Sequence, residues 1–359
     1  MERYIAIDNK CLWPQLIAFE NGAIGVVGFN EPCHGTWPGE VQSWVSADGG
    51  RTWQTRGVPV PRDEGEIRMN HGTGLAPDGS WLCVVSGYSG WKRSPAAKED
   101  VRDYVLTYGD YWKSLGKLPA RVARSWDQGA TWEIIGGLPV MEGWQDLIPF
   151  GKIQTGADGH LRMMAYTAMI DGGNDTRQAF FLRSRDGGVT WEIQSEVPSR
   201  GTTETATLHV GGGRWVSASR RVESHGGELL VGYVSGDDGA TWTGGEVLGI
   251  RDSFPAWLVL WQDRLLLLHG NRAEGNLGVV ARVFDSVNHG WTSPRRLVEL
   301  GGDLGYPSAV VNSTGELVIA YYASDVPAHR RYHMGVLILT AEEFGLSEYP
   351  PFAMPEKIS

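Results

Sequence analysis

The sequence predicts an all-β fold, a six-bladed β-propeller of four-stranded antiparallel blades. Three observations predict it. The pattern Ser-x-Asp-x-Gly-x-Thr-Trp occurs four times, and its serines stand 79, 59 and 51 residues apart. Periods near 50 residues are those of propeller blades. The 359 residues include 49 Gly and 16 Trp, and only 21% are charged. Short β-rich runs ending in Gly, Asn, Asp or Ser clusters fill the intervals. Length alone favours two domains, but propellers close many short strands into one unit. A single domain spanning 1–359 is therefore expected.

The blades follow in order, with cores near 11–57, 67–137, 144–197, 203–248, 254–296 and 305–340. The first carries the turn of Ser46, Asp48, Gly50, Thr52 and Trp53. The second carries Ser125, Asp127, Gly129, Thr131 and Trp132, and the third Ser184, Asp186, Gly188, Thr190 and Trp191. The fourth carries Ser235, Asp237, Gly239, Thr241 and Trp242, and a degenerate copy runs from Asp285 to Trp291 in the fifth. Asp and Ser bond nearby backbone N–H groups, Gly accepts positive φ, and Trp folds back onto the blade. Strands are expected at Trp81–Ser86, Leu161–Tyr166, Ala206–Val210, Arg214–Ser219, Glu228–Ser235, Leu265–His269 and Leu317–Tyr322. The N-terminal run Tyr4–Asp8 is expected to pair with Met334–Leu339 and close the ring, which protects otherwise open edges. An insertion near 88–118, with Ser94 and Pro95 opening a short helix, is expected over the functional face.

Composition excludes several classes. The net charge of −10 argues against general nucleic-acid binding. No apolar stretch reaches the ~18 residues of a membrane span. No leader is visible, so the cytoplasm is expected, or secretion with the leader removed. Cys11, Cys33 and Cys83 read as buried thiols, with no disulfide framework. No metal and no cofactor are expected. The spacing of His329 and His333 and the acidic run Asp171–Asp175 are weak metal signals.

Strand parity locates the chemistry. If the repeated turn joins the third and fourth strands, the loops between strands two and three and the blade-opening segments share the other face. Those segments bring Arg68, His71, Asp146, Glu204 and Tyr306. The two-to-three loops bring Glu31, His34, Arg220, Arg272 and Tyr322. Such convergence at a channel mouth is the default site hypothesis.

The repeated turn resembles the Asp box, or BNR repeat, of the sialidase superfamily, over nearly the whole chain. The resemblance implies an exo-glycoside hydrolase on sialic-acid-like or other acidic sugars. It implies Tyr306 as nucleophile, Glu204 as its activating base, and Arg220 and Arg272 as a clamp on the substrate carboxylate. A neutral Tyr suits a sugar whose anomeric carbon bears a carboxylate, because a carboxylate nucleophile would be repelled. An Arg fork suits the clamp. Two positions depart from the family. Leu12, in Cys11-Leu12-Trp13-Pro14, stands where sialidases carry an Arg, leaving Arg68 to supply that charge. Asn30 to His34 holds no Asp, leaving Glu31 or His34 as proton donor. Two alternatives stay open: a propeller lyase acting at a uronic acid through His34, His71, Arg68 and Tyr322, and a propeller that binds carbohydrate without turnover.

Overall fold

The computed structural model describes residues 1–33, 35, 38–90, 115–170, 176–223, 227–248, 253–273, 275, 277–301, 304–324 and 332–354. The chain begins with β1 (Glu2–Ile7) and continues with β2 (Gln15–Ala18), β3 (Ile24–Phe29), β4 (Val41–Ser46) and β5 (Gln54–Thr55). Next come β6 (Glu66–Leu75), β7 (Trp81–Ser89), β8 (Gly116–Ser125) and β9 (Glu133–Gly137). Then follow β10 (Ile148–Thr155), β11 (Leu161–Thr167), β12 (Gln178–Ser184) and β13 (Glu192–Glu196). β14 (Thr202–His209), β15 (Trp215–Val222), β16 (Glu228–Ser235) and β17 (Thr243–Val247) form the next group. β18 (Ser253–Trp261), β19 (Arg264–Asn271), β20 (Gly278–Asp285), β21 (Gly290–Trp291) and β22 (Arg295–Glu299) precede β23 (Leu304–Val311), β24 (Leu317–Ala323) and β25 (His333–Leu339).

The arrangement is all-β and propeller-like, but hydrogen bonding does not draw six separate blades. Four sheets are single blades: β2 to β5, β14 to β17, β18 to β22, and β23, β24, β25 with β1. The fifth sheet has eight strands, in the order β13-β12-β11-β10-β6-β7-β8-β9. Its halves join by a parallel pairing of Gly72, Thr73 and Gly74 with Gly151, Lys152 and Ile153. Glycine permits this approach. A Cβ on Gly74 would lie 2.0 Å from the Ile153 carbonyl oxygen, inside any allowed contact.

Apolar side chains interleave between neighbouring sheets. Leu82, Val84, Met163 and Leu182 fill one layer, and Trp257, Leu268, Ile319 and Leu337 another. Cys11, Cys33 and Cys83 are fully buried, as expected for thiols packed as small apolar groups. β1 pairs antiparallel with β25, Tyr4 opposite Val336, and closes the ring as expected. No described helix is long and apolar enough to cross a membrane.

The repeated turns join third to fourth strands. Ser46 Oγ donates to Asp48 Oδ1 (2.7 Å) and accepts the Gly50 N–H (2.9 Å). Asp48 accepts the N–H of Arg51 and of Thr52 and the Thr52 hydroxyl, at 3.0, 2.8 and 2.6 Å. Burial opposes the Asp48 charge, but these donors hold its pKa at about 2. Trp53 Nε1 donates to the Gly50 carbonyl (3.1 Å). Trp132 and Trp191 repeat that contact with Gly129 and Gly188, whereas Trp242 donates to Ser195 Oγ of the neighbouring sheet. The degenerate copy also forms an Asp turn, with Asp285 accepting from Val287 and Asn288.

β7 and β8 run further than expected, so Tyr88 pairs with Lys117 in a regular ladder. The expected helix after Ser94 and Pro95, in the 88–118 insertion, lies outside the described residues. So do His34, His329 and Asp171–Asp175.

Candidate active site

The innermost strands carry bulges where the candidate residues stand. Register shifts fall between Arg68 and Asn70 in β6, Thr202 and Thr205 in β14, and Gly305 and Ser308 in β23. A bulge bends the strand and re-aims its side chains. Tyr306, inside the β23 bulge, has φ +47°, a left-handed conformation disfavoured for a bulky residue. Strain of that kind persists only where surrounding structure enforces it.

That backbone delivers the Tyr306 hydroxyl to Glu204 of β14, donating to Oε1 at 2.8 Å. Glu204 is 7% exposed. Arg220 of β15 donates through one terminal nitrogen to both Glu204 oxygens, at 3.0 and 3.1 Å. Its other terminal nitrogen bonds Glu228 of β16. Burial works against the Glu204 charge, but Arg220 and the Tyr306 hydroxyl outweigh it and hold the carboxyl below the usual glutamate value. Burial, then the adjacent Glu204 charge, push Tyr306 well above the usual phenol value. Burial opposes the Arg220 charge too, yet Glu204 and Glu228 keep it firmly protonated. Near neutrality the group is a carboxylate, a neutral phenol and a guanidinium.

A cavity of about 330 Å³ opens beside the pair. Trp13, Tyr88, Phe150 and Tyr166 supply aromatic walls, and Gln15, Asn70 and His71 add polar groups. Rings crowd Tyr306: Tyr322 at 5.6 Å, Trp13 and Phe150 each at 6.3 Å between centroids. Among the described residues, no arginine or lysine lines the cavity.

The sequence-predicted residues divide accordingly. Glu204 and Tyr306 meet at the cavity, and Arg220 stands behind them. Arg272 donates to the Leu304 carbonyl (3.0 Å) and the Tyr322 hydroxyl (2.6 Å), so its charge is spent on the protein beside Tyr306. Tyr322 is 1% exposed and packs edge-on to Tyr306, away from the cavity surface. Arg68 is 3% exposed and turned to Glu66 (2.9 Å) and the Pro119 carbonyl (3.4 Å). It does not replace the arginine that Leu12 lacks; Leu12 itself is fully buried in the apolar layer against β3. His71 lines the cavity, but its ring nitrogens face the Met69 (3.1 Å) and Trp13 (2.9 Å) carbonyls, and burial lowers its pKa to about 4. Asp146 lies apart, where burial raises its carboxyl and the Lys117 charge lowers it. Glu31 is half-buried beyond the lining, with burial raising its carboxyl. Glu228 escaped the sequence reading. Its only signal was its position, opening the strand that pairs with the one carrying Arg220. No described group of three or more His, Cys, Asp or Glu could hold a metal ion.

Residues 104–319 match the family described as the BNR repeat-like domain, which is more than half of the chain. The chain belongs to that family. The BNR repeat-like protein is also similar to solved structures. A Dyadobacter fermentans protein of unknown function superposes with TM-score 0.75 at 20% identity, over 94% of this chain and 98% of that one. A Hadza microbial sialidase gives 0.69 at 16%, over 95% and 68%. Trypanosoma rangeli sialidase bound to the inhibitor DANA gives 0.65 at 14%, over 96% and 56%. At these identities the likeness shows the fold, a sialidase-like β-propeller. A search of curated proteins gives no match.

Proposed function

We propose that this BNR repeat-like protein is an exo-acting retaining glycoside hydrolase in which Tyr306 attacks the anomeric carbon and Glu204 takes its proton. The observation that carries the reading is the 2.8 Å hydrogen bond from the Tyr306 hydroxyl to the Glu204 carboxylate at the edge of an aromatic-walled cavity. In the first step the phenol oxygen bonds to the anomeric carbon. Its proton passes to Glu204 Oε1 as the glycosidic C–O bond breaks. The leaving oxygen takes a proton from an acid; Glu31, the described one of the two candidate donors, stands half-buried beyond the cavity lining and would reach it only through a bridging water. In the second step water attacks the anomeric carbon and gives one proton to the conjugate base of that acid, while Tyr306 departs and recovers its proton from Glu204. The strained Tyr306 backbone supports the reading, because such strain clusters at active sites.

On the same proposal, the eight-stranded sheet is two four-stranded blades fused at Gly72–Gly74, so six units surround the axis in one domain. Apolar layers between every neighbouring pair of units support it. Of the bases a lyase would use, His71 is held by two backbone contacts and Tyr322 is buried away from the cavity surface, both of which work against that role, while His34 lies outside the described residues. Acidic glycosides, sialosides first, are the substrates to test. A fluorogenic α-sialoside should be cleaved by the wild type, and Tyr306→Phe should lose at least about a hundredfold in kcat. Turnover within a few-fold of wild type in Tyr306→Phe would rule out the nucleophile.

A further inference from the structure

We propose that Arg220 is a positioning residue that acts on the reaction through Glu204, with Glu228 fixing its far side, and that it does not grip the substrate. The proposal rests on reading Tyr306 and Glu204 as nucleophile and base. Arg220 stands opposite Leu230, and Glu228 opposite Val222, in the β15–β16 ladder. They are therefore diagonal neighbours on one face, within reach of long side chains. One nitrogen of Arg220 straddles both oxygens of Glu204 while the other is held by Glu228. An arginine that binds a ligand carboxylate presents its fork to the ligand. This fork is presented to two carboxylates of the protein, and Arg220 is not part of the cavity wall.

The arrangement has a direct consequence for the proton. Glu204 Oε1 accepts from both the Tyr306 hydroxyl and Arg220. The carboxylate cannot rotate away from Tyr306 without breaking its contact with the guanidinium. Other groups face it as well: Tyr166 of β11 and Tyr88 of β7 feel its charge, and Arg272 reaches Tyr306 from the far side. None of these bonds the Glu204 oxygens among the described contacts. Arg220 alone among the described cations both holds the base ionised and sets its angle, and Glu228 keeps Arg220 from turning toward the cavity.

Two measurements on the full chain test this, one of them independent of turnover. With carboxyl-labelled glutamate, the Glu204 resonance is assigned by its loss in Glu204→Gln and titrated. Arg220→Met should raise its midpoint by about 1–3 pH units, and Arg220→Lys should leave it within about one. With the fluorogenic α-sialoside, Arg220→Lys should lower kcat at least about tenfold and change KM less than about threefold. Glu228→Ala should follow in the same direction, and Glu228→Gln should recover, because its amide oxygen still accepts from Arg220. A Glu204 midpoint unmoved in Arg220→Met overturns the proposal. So does a raised KM with kcat retained in Arg220→Lys, the signature of a substrate clamp. If Arg220→Met does not fold, Arg220→Lys and the Glu228 pair decide. If the wild type cleaves no sialoside, the hydrolase reading fails on that substrate and the titration still decides the role of Arg220.

Discussion

His71 illustrates how a residue of catalytic type becomes structural. Burial lowers its pKa, and that of His269, to about 4, from an ordinary value near 6.5. The unfolded chain therefore binds protons between those values that the folded chain refuses. Stability is complete above about pH 6.5 and declines as the pH falls toward 4. Urea midpoints followed from pH 7 to pH 5 should show a loss of up to about 2 kcal/mol per histidine. The double variant His71→Asn with His269→Asn should flatten that slope, and an unchanged slope would remove both groups from the account. Strand parity put the segments of Glu204 and Tyr306 on one face, and the resemblance to sialidases implied that the two work together. The fate of the arginines was not legible in the sequence. Whether Arg220 turns to the cavity or to Glu228 depends on the β15–β16 register, and Arg68 is turned away by a bulge that no local pattern announces.

At the scale of strands and turns, the local code was strong where all partners lie within a few residues. Each Ser-x-Asp-x-Gly-x-Thr-Trp turn satisfies its Asp from within eight residues, so four were visible by inspection. The fused sheet was not visible, because it needs Gly72 to meet Gly151 and Gly74 to meet Ile153 across a large sequence gap. A methyl group at Gly74 would lie 2.0 Å from the Ile153 carbonyl oxygen, a contact that backbone must move to relieve. Gly74→Ala should therefore lose about 1–3 kcal/mol or more, measured by urea denaturation. A loss below about 0.5 kcal/mol would mean that the strands separate freely there. Such a variant also tests whether the junction positions the cavity, since β6 and β10 contribute Asn70, His71 and Phe150 to its wall.

At the scale of the whole molecule, closure joins the first strand to the last. β25 is buried along its length, lying between β24 and β1. Removing residues 1–8 should bare its edge, lower the thermal midpoint and produce concentration-dependent association visible by light scattering, because an open edge pairs with other chains. A monomeric, equally heat-stable truncation would show that β1 contributes little. The same closure fixes an order of assembly on the ribosome. β1 is made before every strand that separates it from β25, Tyr4 waiting for Val336. Until β25 emerges, β1 has no sheet to join. The nascent chain therefore carries one unsatisfied strand over that interval, and a chaperone that shields extended segments would protect it then.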